Sequence, residues 1–141
     1  MSTLTPEEGF LLDVLHWHAY AWTGPAEDRE PGEHAPGQEG DYWLRRPASV
    51  IRATFTTPEA AEAWMRAEAA AYPAELEADS AHSLLYLRQF LHDEPYRTPS
   101  LFYRDRFERL VRRYLVPCPR PAVSHYPKHK PPPCPLGRGR A

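Results

Sequence analysis

Cys118, His125, His129 and Cys134 are residues of the types that hold zinc, spaced C-x6-H-x3-H-x4-C. Two thiolates and two imidazoles are a sufficient donor set for a tetrahedral ion. Six prolines lie between the two cysteines and stiffen the loop that would wrap the metal. The plainer alternative is two reduced, unliganded thiols in an extended arm, and it is the reading adopted, with no metal or other cofactor. A disulfide is disfavoured in a reducing compartment. His16 and His18 form a second pair, but in a helical segment positions i and i+2 point about 200° apart, so they are read as packing or surface histidines. His92-Asp93-Glu94, with Tyr96, falls at a helix-ending turn before Pro95 and Pro99 and reads as a solvated loop. Paired carboxylates do acid–base work only in a cleft that perturbs them.

No glycine-rich phosphate loop, G-x-S-x-G elbow or nucleophilic Cys/His context is present in the 141 residues. The chain is therefore read as non-enzymatic, with no small-molecule substrate. No apolar run reaches the roughly 18 residues of a membrane span. Glu7 and Glu8, with no basic residue before Phe10, argue against a signal peptide, so the expected location is the cytoplasm. Residues 1–40 hold eight acids against one base, 41–116 are balanced, and 117–141 hold five bases and no acid. The acidic front repels phosphate, which leaves the tail as the nucleic-acid contact to expect. Asparagine is absent, glutamine, methionine and cysteine occur twice each, and proline 17 times. Thermophilic proteins share that bias, and GC-rich coding produces it too.

The elements that would position these groups are read from caps and periodicity. Thr5-Pro6-Glu7-Glu8, Thr57-Pro58-Glu59 and Thr98-Pro99 are helix openings, with a hydroxyl at the N-cap and proline at the first helical position. Helices are expected from Pro6 to Trp22, Pro58 to about Tyr72, about Ala74 to His92 with a break near Asp79-Ser80, and Pro99 to Leu115. Between the first two, a Gly/Pro/acid-rich loop over 23–40 leads to β-formers at Tyr42-Trp43-Leu44 and 49–57, read as two short strands. Eight prolines in 117–141 make that segment an extended arm. The expected fold class is α+β: a mainly helical small domain over 1–116 with a short two-stranded β element, followed by a basic Pro-rich tail over 117–141.

In the last expected helix, Tyr103, Phe107, Leu110 and Tyr114 follow 4, 3, 4 spacing, while Arg106, Arg109 and Arg113 share another side. A solvated face explains that side; an Arg-rich docking surface is the sharper reading. The candidate protein contacts are Tyr42, Trp43, Arg45, Arg46, Arg104, Arg106, Arg109 and Arg113.

Two resemblances add to this reading. The run Phe55-Thr56-Thr57-Pro58-Glu59-Ala60-Ala61-Glu62-Ala63-Trp64-Met65-Arg66-Ala67-Glu68 resembles the F-x5-A-x2-W-L-x2-E stretch before the helical repeats of SARP-type regulators. It implies a helical protein-interaction module, without the winged-helix and nucleotide-binding modules of that family. In size and composition alone, the chain resembles the small host-takeover proteins of Thermus phages that bind RNA polymerase. That resemblance implies docking on the host polymerase β-flap and σ region 4, and inhibition of −10/−35 promoters. This is the leading functional expectation, with the SARP-type module as its alternative.

Overall fold

A computed structural model of the chain describes residues 14–25, 39–119 and 132–137. The expected helix at Pro6–Trp22 lies partly outside them, and its described part is a strand. His16-Trp17-His18-Ala19-Tyr20-Ala21-Trp22 alternates, so successive side chains serve opposite sheet faces, and strand β1 runs His16–Pro25. A strand buried on both faces is apolar on both, which is why this stretch reads as a helix that is apolar all round. Helix α1 (Glu39–Leu44) carries Tyr42-Trp43-Leu44, expected as a strand. Strand β2 is short, Ala53–Phe55.

Helix α2 runs Pro58–Ala71 and starts as its cap signals dictate, with the Ala60 N–H donating to Thr57 Oγ1 at 3.2 Å. Helices α3 (Glu77–Leu85) and α4 (Leu87–Asp93) follow, broken at Tyr86 rather than near Asp79-Ser80. The expected last helix is a hairpin, β3 (Ser100–Arg104) and β4 (Arg109–Cys118). Its turn is built on Asp105, 1% exposed, whose Oδ1 accepts the N–H groups of Phe107 and Arg109 at 2.8 and 2.9 Å. Burial pushes the Asp105 carboxyl up, but those two donors and the Arg109 guanidinium outweigh it and hold it below its ordinary value.

The strands form one antiparallel sheet in the order β2-β1-β4-β3. The chain is thus α+β with strand and helix in similar proportion, which corrects the mainly helical domain with a two-stranded element. The 4, 3, 4 spacing that suggested a last helix is a coincidence of two alternating strands and a turn. Tyr103 faces the helices, Phe107 sits in the turn and is 77% exposed, and Leu110 and Tyr114 belong to the other sheet face.

The two faces carry separate cores. On one, Trp17, Leu101, Val111 and Leu115 pack against Met65 of α2 and Leu87 and Leu91 of α4. On the other, Tyr20, Tyr114, Val116 and Cys118 pack against Trp43 and Leu44 of α1 and against Cys134. The Trp43 ring stacks on Tyr20 at 4.9 Å and tilts over Tyr114 at 5.6 Å. β4 runs two residues past the expected domain end at Val116, and 132–137 of the expected tail return to this second core. Among the described residues, no helix is long and apolar enough to cross a membrane.

Candidate metal centre

Strand periodicity carries the site. His16 and His18 are two residues apart on β1, so both imidazoles emerge on the α1 side of the sheet. β4 pairs with β1 in antiparallel register, placing Cys118 opposite His16 and Val116 opposite His18. Cys134 arrives from the segment before a short 3₁₀ turn at Pro135–Gly137. All four residues are buried, and their donor atoms lie within 4.8 Å of one another.

The three separations among His16, His18 and Cys134 suit one ion, and Cys118 Sγ lies within 4.8 Å of each of them. His16 Nε2 is 3.1 Å from His18 Nε2, and Cys134 Sγ is 3.4 Å from His18 Nε2 and 3.6 Å from His16 Nε2. With Zn–N near 2.05 Å and Zn–S near 2.3 Å, a tetrahedron requires about 3.3 Å between two nitrogens, about 3.6 Å between nitrogen and sulfur, and about 3.8 Å between two sulfurs. The three separations among His16, His18 and Cys134 each fall within about 0.3 Å of those values.

The neighbours fix which nitrogen faces the centre. His16 Nδ1 is 2.7 Å from the Val14 carbonyl oxygen, which can only accept, so Nδ1 carries a proton and Nε2 is the nitrogen that faces the centre. His18 Nδ1 sits 2.8 Å from Thr54 Oγ1 of β2. Outer partners of this kind orient metal-bound histidines. Thr54 Oγ1 both donates and accepts, so without a cation a proton on His18 Nε2 makes the 3.1 Å contact an N–H···N hydrogen bond to His16 Nε2; with that proton on Nδ1 instead, both Nε2 lone pairs are available to one ion. Protonation states agree. Burial holds His18 below its ordinary pKa, favouring neutral imidazole. The hydrogen bond from Cys118 pulls Cys134 well down against its burial, with His16 and His18 adding to the effect, favouring thiolate. Neutral histidine and thiolate are the forms a metal takes.

Nitrogens and sulfur intermingle around one point. A two-iron cluster of the His2Cys2 kind would put the histidines on one iron and the cysteines on the other, so the arrangement suits a single ion. Two sulfurs and two nitrogens in one buried cluster are the donor set that suits tetrahedral zinc. All four corners are protein atoms, which is the form of a structural site rather than a catalytic one with an open position.

Comparison with protein-family models, curated proteins and solved structures finds no match.

The structure brings together Cys118 and Cys134 of the sequence-derived quartet; His125 and His129 lie outside the described residues. In their place stand His16 and His18, set aside above because a helix would separate them. The alternation of His16, His18, Tyr20 and Trp22 was the available signal. The candidate protein contacts scatter. Tyr42 is half-buried, Trp43 is buried, and both line a cleft with Arg46; Arg45, Arg104 and Arg106 are exposed. Arg109 pairs with Asp105 at 2.7 Å. Arg113 is 2% exposed, faces the helices, and donates to Glu68 Oε1 at 2.8 Å and to Thr23 Oγ1 at 3.0 Å. Arg109 and Arg113 share the helix-side face of β4, but both are engaged in ion pairs and Arg113 is buried, while Arg106 sits in the turn, so the three form no exposed arginine face. His92 and Glu94 are exposed at the end of α4, where His92 Nε2 lies 3.7 Å from Glu59 Oε1.

Proposed function

We propose that this protein is a zinc-holding, non-catalytic α+β binding module. His16, His18, Cys118 and Cys134 bind one Zn2+ that joins β1, β4 and the Cys134 segment. The observation that carries it is the buried cluster of four donors within 4.8 Å of one another, in which the His16, His18 and Cys134 separations of 3.1, 3.4 and 3.6 Å are those of three corners of a tetrahedral site. The ion's task is to fasten. Cys118 and Cys134 are 16 positions apart in sequence and more than 100 from His16, so four bonds close two long loops. Because the metal binds the folded chain, its binding free energy adds to stability.

Metal analysis of the full chain, purified without chelators, tests this. One zinc per chain is expected, with loss of most of it in Cys134→Ser. A folded protein with near-zero zinc and no other bound metal overturns it.

The partner proposal rests on size and composition. It is docking on the host RNA polymerase β subunit and σ factor with inhibition of −10/−35 promoters, the alternative being a SARP-type interaction module. Retention of polymerase β, β′ and σ by the tagged, zinc-loaded protein supports it. A clean blank with folded protein removes it and leaves the metal proposal untouched.

A further inference from the structure

Cys118 and Cys134 are both reduced, and their sulfurs lie within 4.8 Å of each other. The two are held differently. Cys118 is a rung of the β1–β4 ladder, opposite His16. Cys134 has no ladder partner among the described residues; it precedes the 3₁₀ turn, where the Gly137 N–H donates to its carbonyl at 2.9 Å. Strand pairing therefore fixes one sulfur and leaves the other on a short segment that can shift toward it.

Around one zinc, two thiolate sulfurs stand about 3.8 Å apart, and each gives the ion an electron pair backed by its negative charge. A disulfide draws the sulfurs to bonding distance and removes both charges. One pair of cysteines therefore serves the ion or the bond, never both at once.

The histidines accept either state. With an ion in place, His18 carries its proton on Nδ1, toward Thr54 Oγ1, and its Nε2 is a ligand. With the ion gone, the Thr54 hydroxyl turns to donate to Nδ1, and the proton sits on Nε2. The 3.1 Å contact with His16 Nε2 is then a hydrogen bond. His16 Nδ1 keeps the Val14 carbonyl throughout. Losing the metal thus leaves no imidazole nitrogen of the pair without a partner.

We propose, resting on the zinc reading above, that Cys118 and Cys134 are a site of oxidation by hydrogen peroxide, and that their disulfide expels the ion. One thiolate sulfur attacks a peroxide oxygen; the O–O bond breaks, hydroxide leaves and a sulfenic acid forms. The second thiolate attacks that sulfur; the S–S bond forms, the S–O bond breaks and a second hydroxide leaves. Two protons from solvent turn the hydroxides into water. Each sulfur loses one electron and the peroxide gains two. The exchange changes what is fastened. The ion ties β1, β4 and the Cys134 segment together, whereas the disulfide ties only the last two. Oxidation therefore releases the His16 end of β1 and keeps the loop between the cysteines closed.

The test treats the zinc-loaded full chain with hydrogen peroxide and follows released zinc with a chromophoric chelator, remaining thiols with a thiol reagent, and intact mass. One zinc should leave for every two thiols lost, with a mass lower by two hydrogens. Dithiothreitol with added zinc should restore the starting state. Zinc retained at a peroxide dose that oxidises both thiols of the chelated protein overturns the proposal. So does release that adds oxygen to the cysteines without joining them. Hydrogen exchange in the oxidised protein should rise at the His16 end of β1 and stay low at Cys134–Gly137, where chelation alone loosens both. Equal loosening at the two places overturns the exchange of ties. Zinc measured before the oxidant is added separates the failures. A metal-free starting protein overturns the metal centre and its oxidation switch together; a loaded protein that keeps its zinc overturns the switch alone.

Discussion

Replacing Cys134 by serine removes one of four metal donors while changing a single atom. The expected result is loss of zinc together with a lowered melting temperature, and His18→Ala should do the same from the opposite strand. The loss should be several kcal/mol, because structural zinc contributes its binding energy directly to folding. A packing role alone predicts a smaller effect, insensitive to added zinc, so titrating zinc during thermal melts distinguishes the two. Arg113 is the second residue whose removal should register. Arg113→Ala strands Glu68 and the Trp22 carbonyl, to which its guanidinium donates at 2.8 and 3.1 Å, and should cost about 3 kcal/mol in chemical denaturation. An exposed docking arginine would cost almost nothing.

At the scale of elements, the hardest question in this sequence is period. α2 was legible because Thr57, Pro58 and Glu59 state a helix start in local chemistry that tertiary context does not override. β1 was not, because a strand buried on both faces lacks the polar alternation that marks a half-exposed one. The same error concealed the metal centre: His16 and His18 diverge on a helix and converge on a strand. Cys118 and Cys134 were legible as a thiol pair, but their partners lie 100 or more residues upstream, beyond any local spacing rule. The β3–β4 hairpin hid behind Asp105, since its turn uses a buried carboxylate and a positive φ at Glu108 in place of glycine.

Packing between elements carries a pH signature. Glu62 of α2 is 6% exposed and accepts from Arg88 of α4 at 3.0 Å and from Arg66 at 2.8 Å. The Arg88 hydrogen bond, opposed by burial and aided by Arg66, holds its pKa below the ordinary 4.5. A depressed carboxylate contributes stability above its unfolded pKa and loses it as pH falls through the folded value. Glu62→Gln should therefore lower the melting temperature at neutral pH and flatten its decline below about pH 4.5. An unchanged acid limb in a pH series of melts would contradict that assignment.

For the molecule as a whole, the sheet separates two jobs. One face is filled by α2 and α4 and needs no metal. The other begins with the His/Cys cluster, continues under Trp43 and ends at Trp22 and Phe102. Chelation should accordingly be uneven. Hydrogen exchange after zinc removal should rise first at Cys134–Gly137 and at the His16 end of β1, while α2 stays protected. Uniform loss of protection would mean that the two cores unfold as one unit.

The central claim is a single ion held by His16, His18, Cys118 and Cys134. X-ray absorption at the zinc edge, on protein purified without chelators, tests it most directly. A four-coordinate shell of two sulfurs near 2.3 Å and two nitrogens near 2.0 Å is expected. A folded protein with no zinc edge, or a shell holding fewer than two sulfurs, would contradict it.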